Sequence, residues 1–174
     1  MPPDTAPPPP DSSAELDTTP SSDAPWIDAV PADAPPPDAM WPCMEAPGCD
    51  VFTCGTKCIM HCPGATNWFD AQMACHEWSG ELATISTSAR NGCIYSNTPN
   101  FGTGWIGLTQ DTGATEPDGG WRWTGTGGLD VYTNWAGGEP NNAGGGEGCA
   151  EFRYDTAEWN DQPCSVGNEY LCER

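Results

Sequence analysis

Apolar side chains recur at helical spacing in one stretch near the middle of the chain. The positions that share a helix face are Trp68, Ala71, Cys75 and Trp78. Asn67 is a favourable N-cap before this pattern, and Gly80 is a favourable terminator after it. The pattern therefore predicts an amphipathic helix between Asn67 and Gly80.

Other apolar runs predict a second helix and several strands. TSARNGCIY, residues 87–95, is typical of a shorter helix, although Gly92 lies inside it. Short runs rich in aromatic and branched residues predict strands. These runs are ELATI (81–85), GWIGLTQ (104–110), GGWRWTG (119–125), CAEFRYD (149–155) and EYLCER (169–174). After the second helix the chain is therefore rich in strands and loops.

A long irregular segment separates the run that ends near Thr124 from the one that begins at Cys149. It is rich in Gly, Asn and Pro and has little apolar periodicity. A loop of this length inside a small domain is either functional or disordered. The aromatic residues Tyr132 and Trp135 within it favour a functional loop over a disordered one.

Composition divides the chain into a tail, residues 1–42, and a domain, residues 43–174. The tail holds thirteen of the nineteen prolines and eight acidic residues, with no Lys or Arg. Such a segment cannot bury enough apolar surface to offset the entropy of ordering. We therefore expect a disordered, extended acidic linker or stalk rather than a binding motif.

The formal net charge of −20 limits the possible partners. No basic stripe is present to displace counterions from phosphates, so the chain is not expected to bind nucleic acid. No apolar run is long enough to span a bilayer, so we expect no direct membrane insertion. No apolar signal region follows Met1, and we expect any signal sequence or anchor to be absent from this chain.

Ten cysteines in a chain of 174 residues predict disulfides, and with them a secreted or cell-surface location. Zinc is the alternative, because Cys54, Cys58 and Cys62 are spaced by four and His61 lies among them. The chain has no compact CxxC pair, which favours disulfides over zinc.

Oxygen-bearing side chains gather in the long loop and shortly after it. They are Glu139, Asn141, Glu147, Asn160 and Asp161. Calcium prefers such carboxylate and amide oxygens, so the set predicts a Ca²⁺ site. Pro140 can fix a turn, in the cis form if needed, that points its two neighbours the same way. The alternative is that EPNN and WND are ordinary turns.

Residues 62–174 resemble a C-type lectin-like domain. The matching segments are W68FDAQMAC75, G80ELATI, W105IGL, E139PN, Glu147 ahead of Cys149, WND at 159–161 and Y170LCE. The resemblance implies an α+β fold in which two helices pack on small antiparallel sheets beside a long calcium- and sugar-binding loop. It also implies two disulfides, Cys75 with Cys172 and Cys149 with Cys164.

The resemblance further implies a calcium-dependent lectin for glycans or glycoproteins. The Glu-Pro-Asn form of the loop goes with sugars of the mannose, fucose or N-acetylglucosamine type. The five oxygen-bearing residues would then bind both the ion and two neighbouring sugar hydroxyls. Asn142 and Gly148 stand where relatives often have acids, so an auxiliary calcium site is expected to be weak or absent, even with Asp111 and Glu116 nearby.

The remaining six cysteines permit fifteen pairings. We predict that Cys62 pairs with Cys93, because the resemblance implies that the second helix, which carries Cys93, packs near the first strand. The other four would then staple a hairpin in a cysteine-rich N-terminal extension, residues 43–61. They are Cys43, Cys49, Cys54 and Cys58.

Two other functional classes compete with the lectin. Glu139 and Glu147 offer the two carboxylates that a glycosidase needs, but metal-bound carboxylates are poor general acids. A calcium-stabilised protein-binding or adhesion module of the same fold is the stronger alternative, since a fold does not fix its ligand. A single sugar site is expected to bind weakly, so multivalent display on the long tail would raise avidity.

Overall fold

The structure is a computed structural model that describes Cys43 and residues 46–99, 102–128 and 132–174. The linker predicted at residues 1–42 lies outside this part of the chain and stays a prediction.

Ten helices and strands follow one another in the described residues. They are β1 (Asp50–Cys54), β2 (Lys57–Thr66), α1 (Trp68–Glu77), β3 (Glu81–Leu82), α2 (Ser88–Asn97), β4 (Thr103–Gln110), β5 (Trp121–Trp123), β6 (Cys149–Arg153), β7 (Trp159–Gln162) and β8 (Asn168–Glu173). Both predicted helices and all five predicted strand regions are present. Strand β7 was not predicted, because WND was interpreted only as part of a ligand loop.

The strands form one connected sheet in the order β1-β2-β8-β4-β6-β7, with β3 paired to β8 and β5 to β4. The α+β fold class is confirmed, but the predicted small antiparallel sheets are joined into one mixed sheet. Gly104 and Trp105 of β4 pair in parallel with Glu169 and Tyr170 of β8, whereas the other strand pairs are antiparallel. The long connection between β4 and β8 permits the parallel pairing, which a short hairpin cannot make.

Helix α1 begins where the sequence predicts. The Asn67 side chain accepts a hydrogen bond from the backbone N–H of Asp70 at 3.0 Å, which satisfies one of the free amides of the first turn. Trp68, Ala71 and Cys75 are the buried residues of this helix. The Trp68 indole donates to the Ile106 carbonyl at 2.9 Å and so attaches the helix to β4.

Helix α2 connects the core to β7 through one buried polar residue. The Asn91 side chain donates to the Ala157 carbonyl at 2.8 Å and accepts from the Trp159 indole at 2.9 Å. Trp159 also packs edge-to-face on Trp123, with ring centroids 5.5 Å apart. These contacts fix the strand that leads into the candidate site.

All ten cysteines form disulfides. The two pairs implied by the resemblance are present, Cys75–Cys172 and Cys149–Cys164. Because every thiol is used, none is left to bind zinc.

The prediction that Cys62 pairs with Cys93 is wrong. Cys62 bonds to Cys49 and Cys93 bonds to Cys54, with Cα–Cα distances of 4.4 and 5.8 Å. The reason is the β1–β2 register, in which Cys54 lies opposite Lys57 at the turn. The end of β1 therefore faces α2, while Cys62 lies further along β2. Cys43 bonds to Cys58.

Candidate functional site

The five predicted site residues lie on two segments that meet at the edge of the sheet. Asn160 and Asp161 belong to β7, which pairs with β6 so that Asn160 faces Glu151 and Asp161 faces Ala150. The other three, Glu139, Asn141 and Glu147, belong to the loop that precedes β6.

The first arm of the loop is attached to β7 by backbone hydrogen bonds. The Trp159 N–H donates to the Asn134 carbonyl at 2.8 Å, and the Ala136 N–H donates back to the Trp159 carbonyl at 2.8 Å. The Glu139 N–H then donates to the Ala136 carbonyl at 2.9 Å. The chain therefore reaches Pro140 beside β7, where the Glu139–Pro140 peptide is cis.

Asp161 is the anchor for the turn after Pro140. Its side chain accepts from the backbone N–H of Asn141, at 3.1 and 3.2 Å to the two oxygens, and from that of Asn142 at 2.8 Å. Asp161 is only 1% exposed, so its carboxylate has lost its hydrogen bonds to water, and the backbone N–H groups replace them. Asp161 thus holds the backbone of this turn in place.

Asn142 and Glu147 close the loop on itself. The Glu147 N–H donates to the Asn142 side-chain oxygen at 3.0 Å, and the Glu147 carboxylate accepts from the Ala143 N–H. Asn142 has a positive φ of 49°, a conformation that Asn tolerates better than most residues. The sequence was interpreted at this position only as a missing acid, whereas the structure gives Asn142 a role in shaping the loop.

Glu139 carries an unpaired buried oxygen. Its Oε2 is shielded from solvent and has no hydrogen-bond donor among the residues that the structure describes. Burial raises the pKa of Glu139, and the neighbouring carboxylates of Asp161 and Glu147 raise it further. Arg153 opposes the rise but does not cancel it. The carboxyl group therefore lies in a place where negative charge is not fully balanced.

Glu147 shows the same imbalance. It is 8% exposed, and burial is the main reason that its pKa is raised. The Ala143 N–H lowers this pKa, whereas the charges of Asp161 and Glu151 raise it. A cation placed among these carboxylates would stabilise their ionised forms.

Asn160 is oriented by a residue that the sequence interpretation missed. The Asn160 Nδ2 donates to Glu151 Oε1 at 3.1 Å, and the Asn168 Nδ2 donates to Glu151 Oε2 at 2.6 Å. Glu151 is a buried residue of β6, and an acidic residue in a run otherwise suited to a core strand was the available signal.

The donor set fits a hard cation in chemistry but is not a preformed cage. Within the described ranges, no three His, Cys, Asp or Glu side chains converge as a metal centre. The set instead mixes carboxylates with the amides Asn141 and Asn160, and Asn141 is exposed. The unpaired Oε2 of Glu139 and the exclusively oxygen donors fit calcium better than zinc.

The acids considered for an auxiliary site already have partners. Asp111 pairs with Arg122 at 2.7 Å, and the Glu116 carboxylate accepts from Gln110 at 3.1 Å.

Both helices in the described part of the chain are too short and too polar to cross a membrane. A cavity of about 500 Å³ lies beside Lys57, His76 and Arg174, and its lining includes none of the five candidate residues.

Comparison with known proteins gives concordant matches. The sequence model of the lectin C-type domain matches residues 64–174. Hepatic lectin from Gallus gallus is 32% identical over 135 residues, which are 71% of this chain and 62% of that protein. The chain therefore spans less than two thirds of this relative's length.

Solved structures of similar sequence share the fold. The carbohydrate-recognition domain of mouse scavenger receptor C-type lectin is 31% identical, and the match covers 74% of this chain and 94% of that chain with a TM-score of 0.62. The cow domain of CD23, solved in the presence of GlcNAc2Man3 oligosaccharide, is 30% identical, with coverages of 75% and 95% and a TM-score of 0.61. A calcium-independent type II antifreeze protein, 24% identical with coverages of 75% and 94% and a TM-score of 0.59, shows similarity of fold alone.

Proposed function

Because this chain belongs to the C-type lectin domain family, we propose that it binds carbohydrate through calcium held by the loop and β7. The family is one of lectin domains rather than enzymes, so the glycosidase alternative is set aside. The observation that carries the proposal is the turn at Pro140, where Asp161 holds the backbone of Asn141 and Glu139 keeps a buried, unpaired oxygen.

The residues that would hold the ion are those predicted from the sequence. Glu139, Glu147 and Asp161 offer carboxylate oxygens, and two amides offer carbonyl oxygens, namely Asn141 and Asn160. When bound, calcium would supply positive charge and open coordination positions for two neighbouring hydroxyl groups. Its charge would stabilise the ionised forms of Glu139 and Glu147, whose pKa values are raised by burial and, to a smaller extent, by neighbouring acids.

The hydrogen-bonding groups on either side of Pro140, an acceptor at Glu139 and a donor at Asn141, support sugars of the mannose type. Glu139 can accept a hydrogen bond from a sugar hydroxyl, and the Asn141 amide can donate one. We propose glycans with vicinal hydroxyls of the mannose, fucose or N-acetylglucosamine type. The oligosaccharide named for the cow CD23 domain, GlcNAc2Man3, contains sugars of two of these types.

Five disulfides support a location outside the cytoplasm, secreted or at a cell surface. Single-sugar affinity is expected near millimolar, about −4 kcal/mol. We propose that several copies displayed together on their linkers bind glycoproteins with useful avidity.

The test is binding to a panel of immobilised glycans, in millimolar calcium and again in EDTA. We expect a calcium-dependent signal on the proposed sugars. In a protein that carries Glu139→Gln with Asn141→Asp, the acceptor and donor are exchanged, and we expect this signal to be lost. The matched control exchanges a similar pair at the surface, Glu77→Gln with Asn97→Asp, and should bind as the wild type does.

The second candidate is a calcium-stabilised protein-binding module without a sugar ligand. Phe69 and Met73 favour it, because they are one helical turn apart on α1 and are 60% and 62% exposed. If no glycan on the panel is bound but calcium raises the thermal stability, this candidate is supported. Silence with no effect of calcium would overturn the site itself.

A further inference from the structure

Glu151 is a buried acid at the centre of a small network of amides. It lies on β6, is 6% exposed, and accepts one hydrogen bond on each carboxylate oxygen, from Asn160 and from Asn168. The network continues to β4, since the Thr103 hydroxyl donates to the Asn168 side-chain oxygen at 2.9 Å. It therefore joins three strands, β4, β8 and β6, to the candidate site on β7.

The chemistry of a carboxylate determines which way these amides point. An ionised carboxylate only accepts hydrogen bonds, so each neighbouring amide must turn its N–H group toward it. The Asn160 carbonyl oxygen must then point away from Glu151. Without this acceptor, the two ends of the amide are nearly equal in size, and either could face a ligand.

We infer that Glu151 is a positioning residue, which orients the Asn160 amide so that its oxygen, not its nitrogen, is presented to calcium. The inference rests on the proposed function, because it assigns a role within the same site. The second N–H of the Asn160 amide stays available for a sugar hydroxyl. One hydrogen bond from β6 therefore sets both the metal contact and the sugar contact of Asn160.

A purely structural role explains this arrangement less well. An acidic side chain in an inward position loses its hydration, and an apolar residue would fill the place without that cost. Glu151 also adds negative charge near the carboxylate of Glu147. Both costs are incurred at the β6 position that lies opposite Asn160.

The first experiment compares Glu151→Leu with wild type by calorimetric titration with calcium alone. Loss of a partner that orients a metal ligand typically weakens metal binding about 10- to 100-fold, and we expect a loss in this range. Glu77→Leu is the matched control, because it removes the same charge from an exposed position on α1. It should leave the calcium dissociation constant unchanged.

The second experiment follows the Asn160 side-chain amide by ¹⁵N NMR in calcium-free protein. In wild type, one of its protons should exchange slowly because it is bound to a charged acceptor, and Glu151→Leu should abolish this protection. An unchanged Asn160 signal would overturn the inference. Equal calcium binding by wild type and Glu151→Leu would overturn it as well, and would leave the proposed function intact. Failure of wild type to bind calcium would overturn both.

A charge exchange keeps the inference testable if Glu151→Leu does not fold. In Glu151→Gln with Asn160→Asp, the new amide donates to the new carboxylate, and the other carboxylate oxygen remains free for calcium. We expect calcium binding close to wild type, but no sugar binding, since position 160 has lost its N–H donor. Asn160→Asp alone sets two carboxylates against each other and should bind calcium more weakly than the pair. Equal calcium binding by the single and double variants would contradict the inference.

Discussion

The tryptophan-lined core and the loop that carries the candidate site are held together by different forces. In the core, Trp105, Trp123 and Trp159 are at most 1% exposed, and burial of such aromatic area is a dominant source of stability. In the loop, residues 143–146 are exposed, and the contacts are hydrogen bonds to a few acidic and amide side chains.

The difference shows where a ligand can act. Apolar packing needs no ion, so the core is expected to fold in the same way with and without calcium. The loop and β7 together place Glu139, Glu147 and Asp161 near one another, and their negative charges repel until a cation or protons balance them. The apolar core thus carries the fold, and the charged loop is where we propose that the ligand binds.

Cys75–Cys172 and Cys149–Cys164, removed one at a time, should show the difference between the core and the loop most clearly. Chain-entropy arguments predict a loss of about 4.7 kcal/mol for the Cys75–Cys172 bridge, which closes a long loop, and about 3 kcal/mol for Cys149–Cys164. Their sequence separations are 97 and 15. Paired Cys→Ala variants should be compared by urea unfolding and calcium titration.

Only loss of Cys149–Cys164, which joins the end of the loop to the segment after β7, should weaken calcium binding as well. If loss of Cys75–Cys172 weakened calcium binding equally in the folded protein, the two regions would not be independent.

Calcium should stabilise the loop locally. At a free concentration of 100 times the dissociation constant, one site adds about 2.7 kcal/mol to the free energy of unfolding. Hydrogen exchange should show new protection at residues 139–148 and at β7, with little change in β4. Magnesium at the same concentration is the control, since its strict octahedral geometry suits this mixed site poorly. Protection spread evenly over the sheet would contradict the separation of the two regions.

Asp161→Asn should damage the loop and spare the core. One oxygen that accepts backbone N–H groups would become a donor, and a lost hydrogen bond to a buried charge costs about 2 kcal/mol. We expect calcium binding to fall steeply, while near-ultraviolet circular dichroism from the core tryptophans stays unchanged. Asp155→Asn is the matched control, because Asp155 is exposed. A loss of the tryptophan signal in Asp161→Asn would show that the loop also supports the core.

The smallest effect concerns pH. Without calcium, the pKa values of Glu139 and Glu147 are raised by burial, so the folded state binds protons more readily than the unfolded chain does. Their contribution to stability is therefore full below the unfolded pKa, near 4.5, and is lost as the pH rises through the folded pKa. With calcium the sign reverses, because protonation releases the ion.

Thermal unfolding from pH 7 to pH 5 should test this. The melting temperatures in calcium and in EDTA should approach each other as the pH falls. In EDTA, Glu139→Gln should depend less on pH than wild type does. A constant gap between the calcium and EDTA curves would contradict the link between the acids and the ion.

The elements that depend on local pattern could be predicted from the sequence. Helix α1, its cap at Asn67 and the strand around Trp105 follow from spacing and residue type alone. The set of oxygen-bearing site residues could also be proposed, because Glu139, Pro140 and Asn141 are adjacent in the chain. Contacts between residues distant in the chain could not be predicted in this way. Cys62 and Cys93 are an example, because the spacing of six cysteines does not determine which of them pair.

The sequence by itself determined the α+β class, the positions of the helices and the residue types of the candidate site, because these depend on neighbours along the chain. The tertiary structure decided which side chains meet. It placed Asp161 under the backbone of Asn141, and it made β4 and β8 parallel neighbours. It also set Glu151 against Asn160 across two strands. Such contacts depend on strand register and on long connections, and their free energy is realised only when the whole sheet has formed.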